Sequence, residues 1–184
     1  MGAAFEQAVE HFEAGRLRRA ESACRAALAE EPGDPRALAL LARVLARTGN
    51  AALAAMLLER ALAAAPERAE LRLALARLLL QTGDPAGALA QLDAVLEAEP
   101  SAPARVQRGL ALRELGREDE ALADVRAAAD AAGEDAHAWF EVADALALLD
   151  RTQDARDALA RAVALDPATA SRHAELAQGL RAGG

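Results

Sequence analysis

Apolar residues recur along this chain at spacings of three and four, the period of one face of an α-helix. Between Asp34 and Pro66, Leu38, Leu41, Ala42 and Leu45 form one such stripe. Leu53, Leu57, Leu58, Ala61 and Leu62 form a second. Thr48-Gly49-Asn50 separates them, where glycine can end a helix and take a positive φ. Asp34-Pro35 suits an N-cap followed by the first helical residue. Pro66 stops the second helix, because proline lacks the N–H that a helix interior needs. The stretch therefore predicts two helices of about 13 residues, each roughly 20 Å long. Together they make a hairpin with one apolar edge.

The same text then returns. The run GNAALAAMLLERALAAAP, Gly49 to Pro66, is followed by GDPAGALAQLDAVLEAEP, Gly83 to Pro100. Pro32, Pro66 and Pro100 are 34 apart, and Gly15, Gly49, Gly83 and Gly116 step by 34, 34 and 33. Ala20, Ala54, Ala88, Ala121 and Ala155 keep that register. So do Ala8, Ala42, Ala76, Gly109 and Ala143. Five copies are in phase, with one residue deleted near Ser101–Pro103. A period of this length signals stacked helical hairpins, none of which can bury its apolar edge alone. The small residues mark where the two helices of a hairpin cross and must approach closely. Larger ones, at Leu58, Leu92, Val125 and Leu159, fill the space between hairpins, and Cys24 holds that slot in the first copy.

Composition agrees with an all-α fold. Hydrophobic residues make up 53% of the 184, aromatics only 2%, and Tyr, Ile and Lys are absent. Ala and Leu dominate, and both favour helix. Absent Lys and Ile also match the codon bias of a GC-rich bacterial genome. The formal charge of −8 argues against a nucleic-acid partner, which needs a basic face. Cys24 is the one cysteine, so nothing calls for an oxidising compartment. The N-terminal MGAAFEQAVEHFEAG has no apolar core of a signal peptide, and no run is long and apolar enough for a membrane span. A cytoplasmic location with no membrane partner is expected.

The pattern resembles the tetratricopeptide repeat (TPR) family. Trp139, Val142, Ala143, Leu146, Ala155, Leu159 and Pro167 match its signature best. The other copies keep the small residues and replace the aromatics with Leu. The resemblance covers about residues 2–169. It implies a right-handed α-solenoid of helix-turn-helix hairpins, read as a single domain with repeats at about 2–34, 35–68, 69–101, 102–135 and 136–169. The tail over 170–182 reads as a capping helix. Two departures stand out: Gly133 replaces the expected Pro, and Asp150 replaces the expected Gly. Both are expected to soften the boundaries of the last two hairpins.

No catalytic constellation is legible. His11, His137 and His173 fall in three different copies without a second ligand at metal spacing. Ser22 and Ser101 have no recognisable His-Asp company. The segment Gly83–Gly87 is a turn, not a phosphate loop. Cys24 reads as a small core residue. The reading is a non-enzyme with no cofactor and no metal.

What remains is a surface. In TPR proteins the first helices of successive repeats line a concave groove that holds a peptide or a partner helix. Carried over, the groove would include Phe5, Val9 and Phe12, then Arg36, Arg43 and Arg47, then Arg77, Arg113 and Phe140. Arg36, Arg43 and Arg47 are spaced 7 and 4, so they share a helix face. Arg77 follows Arg43 by 34 residues and is expected beside it. An arginine-lined groove with apolar ends suits a segment bearing carboxylates, because guanidinium offers a fixed fork of donors. In the alternative, these arginines pair with Glu13 and Glu70 and only solvate the surface. The family's Lys/Asn clamp for chaperone C-termini is not implied, since Lys is absent. The expected function is thus a protein-interaction scaffold, able also to associate with itself. A second reading makes the chain the N-terminal recruiting or oligomerising module of a larger bacterial enzyme, such as a transferase or hydroxylase.

Overall fold

The computed structural model describes residues 2–168 and Gln178. The capping helix expected over 170–182 lies outside the described residues, apart from Gln178. Among the described residues there are ten helices and no strand. They are α1 (Ala3–Glu13), α2 (Leu17–Glu30), α3 (Pro35–Arg47), α4 (Ala51–Ala64) and α5 (Ala69–Gln81), then α6 (Pro85–Ala98), α7 (Ala102–Glu114), α8 (Glu118–Ala131), α9 (Ala136–Leu148) and α10 (Thr152–Leu165). The chain has an all-α helical repeat fold. Its residues group into two compact units that divide between Gln91 and Leu92, inside α6.

In the first unit α1 pairs with α2 and α3 with α4, while α2 lies on α3 and α4 on α5. The hairpins cross at small residues. Ala8, Ala20, Ala54, Ala76 and Ala88 have no exposed surface, and Ala42 has 1%. Leu38, Leu41, Leu45, Leu57 and Leu58 are all buried, each worth about 1.5–3 kcal/mol by removal from water. Leu53 departs from the expected stripe and is 45% exposed. Its slot, one residue before the crossing alanine, holds Arg19, Gly87, Glu120 and Asp154 in the other copies. That slot faces solvent, and the leucine there is unpartnered. Cys24 is fully buried, and burial pushes its thiol up to about 11, which suits a packed core atom and not a nucleophile.

The second unit repeats the arrangement. Here α7 pairs with α8 and α9 with α10, and α8 lies on α9. The link from α6 to α7 has one residue fewer than the links from α2 to α3, α4 to α5 and α8 to α9, so the deletion read near Ser101–Pro103 falls in a turn. At the fourth crossing the residue is Gly109. A methyl group there would lie 2.9 Å from Val125 Cγ2 and 3.1 Å from the Ala121 carbonyl oxygen, so this crossing is closer than alanine allows. Its core also holds an ion cluster. Arg108 occupies the slot of Leu41, Leu75 and Val142, and Asp124 that of Leu57 and Ala158. Arg108 Nε and Nη2 donate to the two oxygens of Asp124 at 2.6 and 2.8 Å, and Nη1 donates to Asp93 at 3.0 Å. Asp124 is buried, and Arg105 lies 3.7 Å from it.

One turn closes every hairpin, with two bonds of the Schellman type. In the first copy Gly15 N–H donates to Phe12 O at 3.0 Å and Arg16 N–H to His11 O at 2.8 Å. The equivalent pairs recur at Gly49/Asn50, Gly83/Asp84 and Gly116/Arg117. The four glycines have φ between 68° and 84°. In the fifth copy Asp150 takes φ 57°, and its turn keeps both bonds, at 3.1 and 2.9 Å. The expected softening at Asp150 therefore does not occur. The geometry of the helix end imposes the left-handed conformation on a side-chain-bearing residue. Gly133, the other departure, also has positive φ and accepts a hydrogen bond from Trp139 Nε1 at 3.0 Å.

Replacing Asp150 by Gly is expected to raise stability by about 1 kcal/mol, the cost of a left-handed residue with a Cβ, measured by urea unfolding. Arg108→Leu leaves Asp124 buried without its forked partner and should cost about 3 kcal/mol. Arg108→Leu with Asp124→Ala gives this copy an apolar pair like those of the second and fifth copies, Leu41/Leu57 and Val142/Ala158, and should recover most of that loss. A double mutant as unstable as the single one would refute this account of the cluster.

Candidate functional site

The sequence places Phe5, Val9 and Phe12 on one face of α1 and Arg36, Arg43 and Arg47 on one face of α3. The first unit brings these two faces together around a cavity of about 650 Å³. Its lining adds Glu13, Ala39 and Leu40, with Leu58 from α4 and Arg68, Glu70, Leu71 and Ala74 from the start of α5. Leu40, Leu58 and Leu71 are buried and the two phenyl rings are half-buried, while the arginines stand toward solvent around them. An apolar floor thus carries a polar rim.

The arginines lie on the phenylalanines. The Arg43 and Arg47 guanidinium carbons are 4.4 and 5.3 Å from the centre of the Phe12 ring. That of Arg36 is 5.1 Å from the Phe5 ring. Each contact contributes about 0.5–1 kcal/mol at an exposed site and holds the fork against the aromatic face. The rim arginines differ in their countercharges. Arg36 Nε and Nη2 donate to Asp34 at 3.0 and 2.9 Å. Arg68 Nε donates to Glu70 at 2.8 Å. Arg43 and Arg47 have no carboxylate at ion-pair distance among the described residues. The alternative pairing with Glu13 and Glu70 is therefore not found: Glu70 is taken by Arg68, and the phenyl face takes the place of a carboxylate for Arg43 and Arg47.

Asp34 sets up this rim. It caps α3 through the Arg36 N–H at 2.9 Å and grips the Arg36 side chain as well. Those side-chain hydrogen bonds, and then the backbone one, hold its carboxyl below the usual carboxylate range against the opposing effect of burial.

The other residues expected in a groove are not part of this cavity. Arg77 is on α5 but does not line it. Arg113 and Phe140 belong to the second unit. Arg113 borders a different cavity with Glu114, Glu118 and Asp119, and Phe140 packs against that unit's core. Ala74 was findable, since it lies one period of 34 after Leu40. Arg68 was not, because it precedes a helix at a slot held elsewhere by Asp34, Ser101 and Asp135. Among the described residues no group of three or more His, Cys, Asp or Glu side chains is arranged to hold a metal.

One model of the tetratricopeptide repeat matches residues 11–54 and 48–113, and a second matches residues 106–170. The chain belongs to the tetratricopeptide repeat family. Solved TPR structures share its fold over nearly all its length. TTC0263, described as a thermophilic TPR protein in Thermus thermophilus, is 23% identical with a TM-score of 0.76, covering 97% of this chain and 96% of that one. MamA AMB-1 is 25% identical with a TM-score of 0.69, covering 91% and 99%. YrrB, described as a TPR protein with an unusual peptide-binding site, is 23% identical with a TM-score of 0.67, covering 97% and 90%. Compared with curated protein sequences, the chain finds no match. No helix of this TPR chain among the described residues is long and apolar enough to cross a membrane.

Asp34→Ala is expected to cost about 1–2 kcal/mol at neutral pH through the lost cap. A carboxyl lowered in the folded state stabilises above its unfolded pKa of about 3.9 and loses that contribution as pH falls through the folded value. The gap between Asp34→Ala and wild type should therefore narrow on acidification below about pH 4. A gap that stays constant into strong acid would show that the charge contributes nothing.

Proposed function

We propose that this TPR protein is an interaction scaffold, and that the cavity of its first unit binds a protein segment carrying an apolar side chain next to a carboxylate. The observation that carries the reading is the Arg43–Arg47 pair: two guanidinium groups on one phenyl ring, without a carboxylate partner among the described residues. A guanidinium held there keeps its outward N–H edge ready for a forked carboxylate. Little side-chain freedom is then lost on binding. The floor of Leu40, Leu71 and Ala74 offers an apolar side chain a place out of water. With Arg36 neutralised by Asp34 and Arg68 by Glu70, the rim has Arg43 and Arg47 against Glu13, which favours an anionic ligand. Membership of the TPR family supports a protein-binding role, and YrrB, a protein of the same fold, is described as having an unusual peptide-binding site.

The test is fluorescence anisotropy with a labelled decapeptide of alternating Leu and Glu. Wild type should bind it, and Arg43→Ala with Arg47→Ala should weaken binding by tenfold or more. Each charge-assisted hydrogen bond that is lost removes about 1.5–3 kcal/mol. A matching Leu/Gln peptide should bind much less well. Equal binding of both peptides, or no change in the double mutant, would overturn the reading.

A further inference from the structure

Formal charge is divided unevenly along the chain. The first 91 residues carry 11 arginines and 11 carboxylates, while the rest carry 10 arginines and 18 carboxylates. The whole charge of −8 therefore lies in the second half, and the cavity with uncompensated arginines lies in the first. One turn of the second unit combines acid with an exposed apolar side chain. Leu115, at the C-cap of α7, is 38% exposed. It sits where the first three copies have Ala14, Thr48 and Thr82. Glu114 precedes it in the chain, and Glu114, Glu118 and Asp119, which border a cavity with Arg113 and Arg151, have no ion-pair partner among the described residues. Arg117 is taken by Glu120 through two bonds of 2.7 Å. With Arg117 included, the run Glu114–Glu120 has a formal charge of −3.

We propose that a second copy of this chain occupies the cavity: the Glu114–Glu118 turn of one molecule docks in the Phe5/Phe12/Arg43/Arg47 cavity of another. The inference rests on the reading of that cavity as a partner site and names its partner. Leu115 fills the apolar floor, and Glu114 and Glu118 on either side meet the forks of Arg43 and Arg47. The two surfaces complement each other in kind, each holding charges its own molecule leaves unpaired. Both are also pre-ordered. The turn is fixed by Gly116 N–H to Arg113 O and Arg117 N–H to Leu112 O, both 2.9 Å, and the arginines by Phe12, so association loses little conformational freedom. Because the two patches differ, the contact is heterologous, and each molecule of a pair keeps one patch free for the next.

Sedimentation velocity tests this with three proteins whose melting curves are first shown to match. Wild type should gain mass over a hundredfold rise in concentration, and less so in high salt. Leu115→Glu alone should stay monomeric, as should Arg43→Glu with Arg47→Glu. An equimolar mixture of those two variants has one intact cavity and one intact turn, so it should form a 1:1 pair and grow no further. Self-association that persists in either variant overturns the proposal, and so does a mixture that fails to pair. A wild type that stays monomeric yet binds the Leu/Glu peptide overturns self-association alone; one that does neither overturns the partner site as well.

Discussion

Close approach of two helices is the constraint on which the rest depends. Nine of the ten crossing slots hold alanine and the tenth holds glycine, and all ten are buried. A larger side chain at any of them would separate the helices and open the contacts of the leucines beside them. The glycine shows the limit, since at the fourth crossing even a methyl group meets a stiff valine and a carbonyl oxygen. Once the helices are that near, the slots between hairpins need only one bulky residue each, and Leu58, Leu92, Val125 and Leu159 supply it. Cys24 fills the first with less volume and the same dryness.

The turns obey the same economy. Five helix ends make the same two hydrogen bonds, and the left-handed conformation those bonds require is adopted whether glycine or aspartate provides it. Glycine is the least costly residue for the position but does not create it. Asp150 shows that helix-end hydrogen bonding, together with packing of the two helices, dominates a local preference of about 1–2 kcal/mol. Stacked hairpins of this kind depend mainly on their neighbours, so each turn is a local matter and a substitution there does not disturb the register.

Much of this was legible because it is periodic. The hairpins, their turns, the crossing residues and the slots between them each repeat at 33–34 residues, so errors at one copy are corrected by the others. Leu53 was misread for want of that comparison: its own copy shows an apolar residue, and its four equivalents show a solvent-facing slot. Features that break the repeat were hidden. Arg108 and Asp124 lie 16 residues apart in two helices, and nothing local announces that they face each other where the second and fifth copies have apolar pairs. The grouping of Phe5, Val9 and Phe12 with Arg36, Arg43 and Arg47 was implied by the resemblance to the family, and helical spacing added that the three arginines share a face. Its decisive detail was not legible, because the choice of guanidinium between phenyl and carboxylate depends on the offset between α1 and α3. Arg77 illustrates the same point, since one repeat of translation does not guarantee the same cavity.

The absence of lysine has a consequence at the cavity rim. Its ionisable groups are guanidinium and carboxylate only, and no imidazole, thiol or amine lines it. Histidine, the side chain that most readily changes charge near neutral pH, is therefore missing from the lining, and the rim holds no imidazole switch of its own. Recognition there rests on forked guanidinium geometry and an apolar floor, so a partner that needs a pH switch at this contact has to bring the imidazole itself.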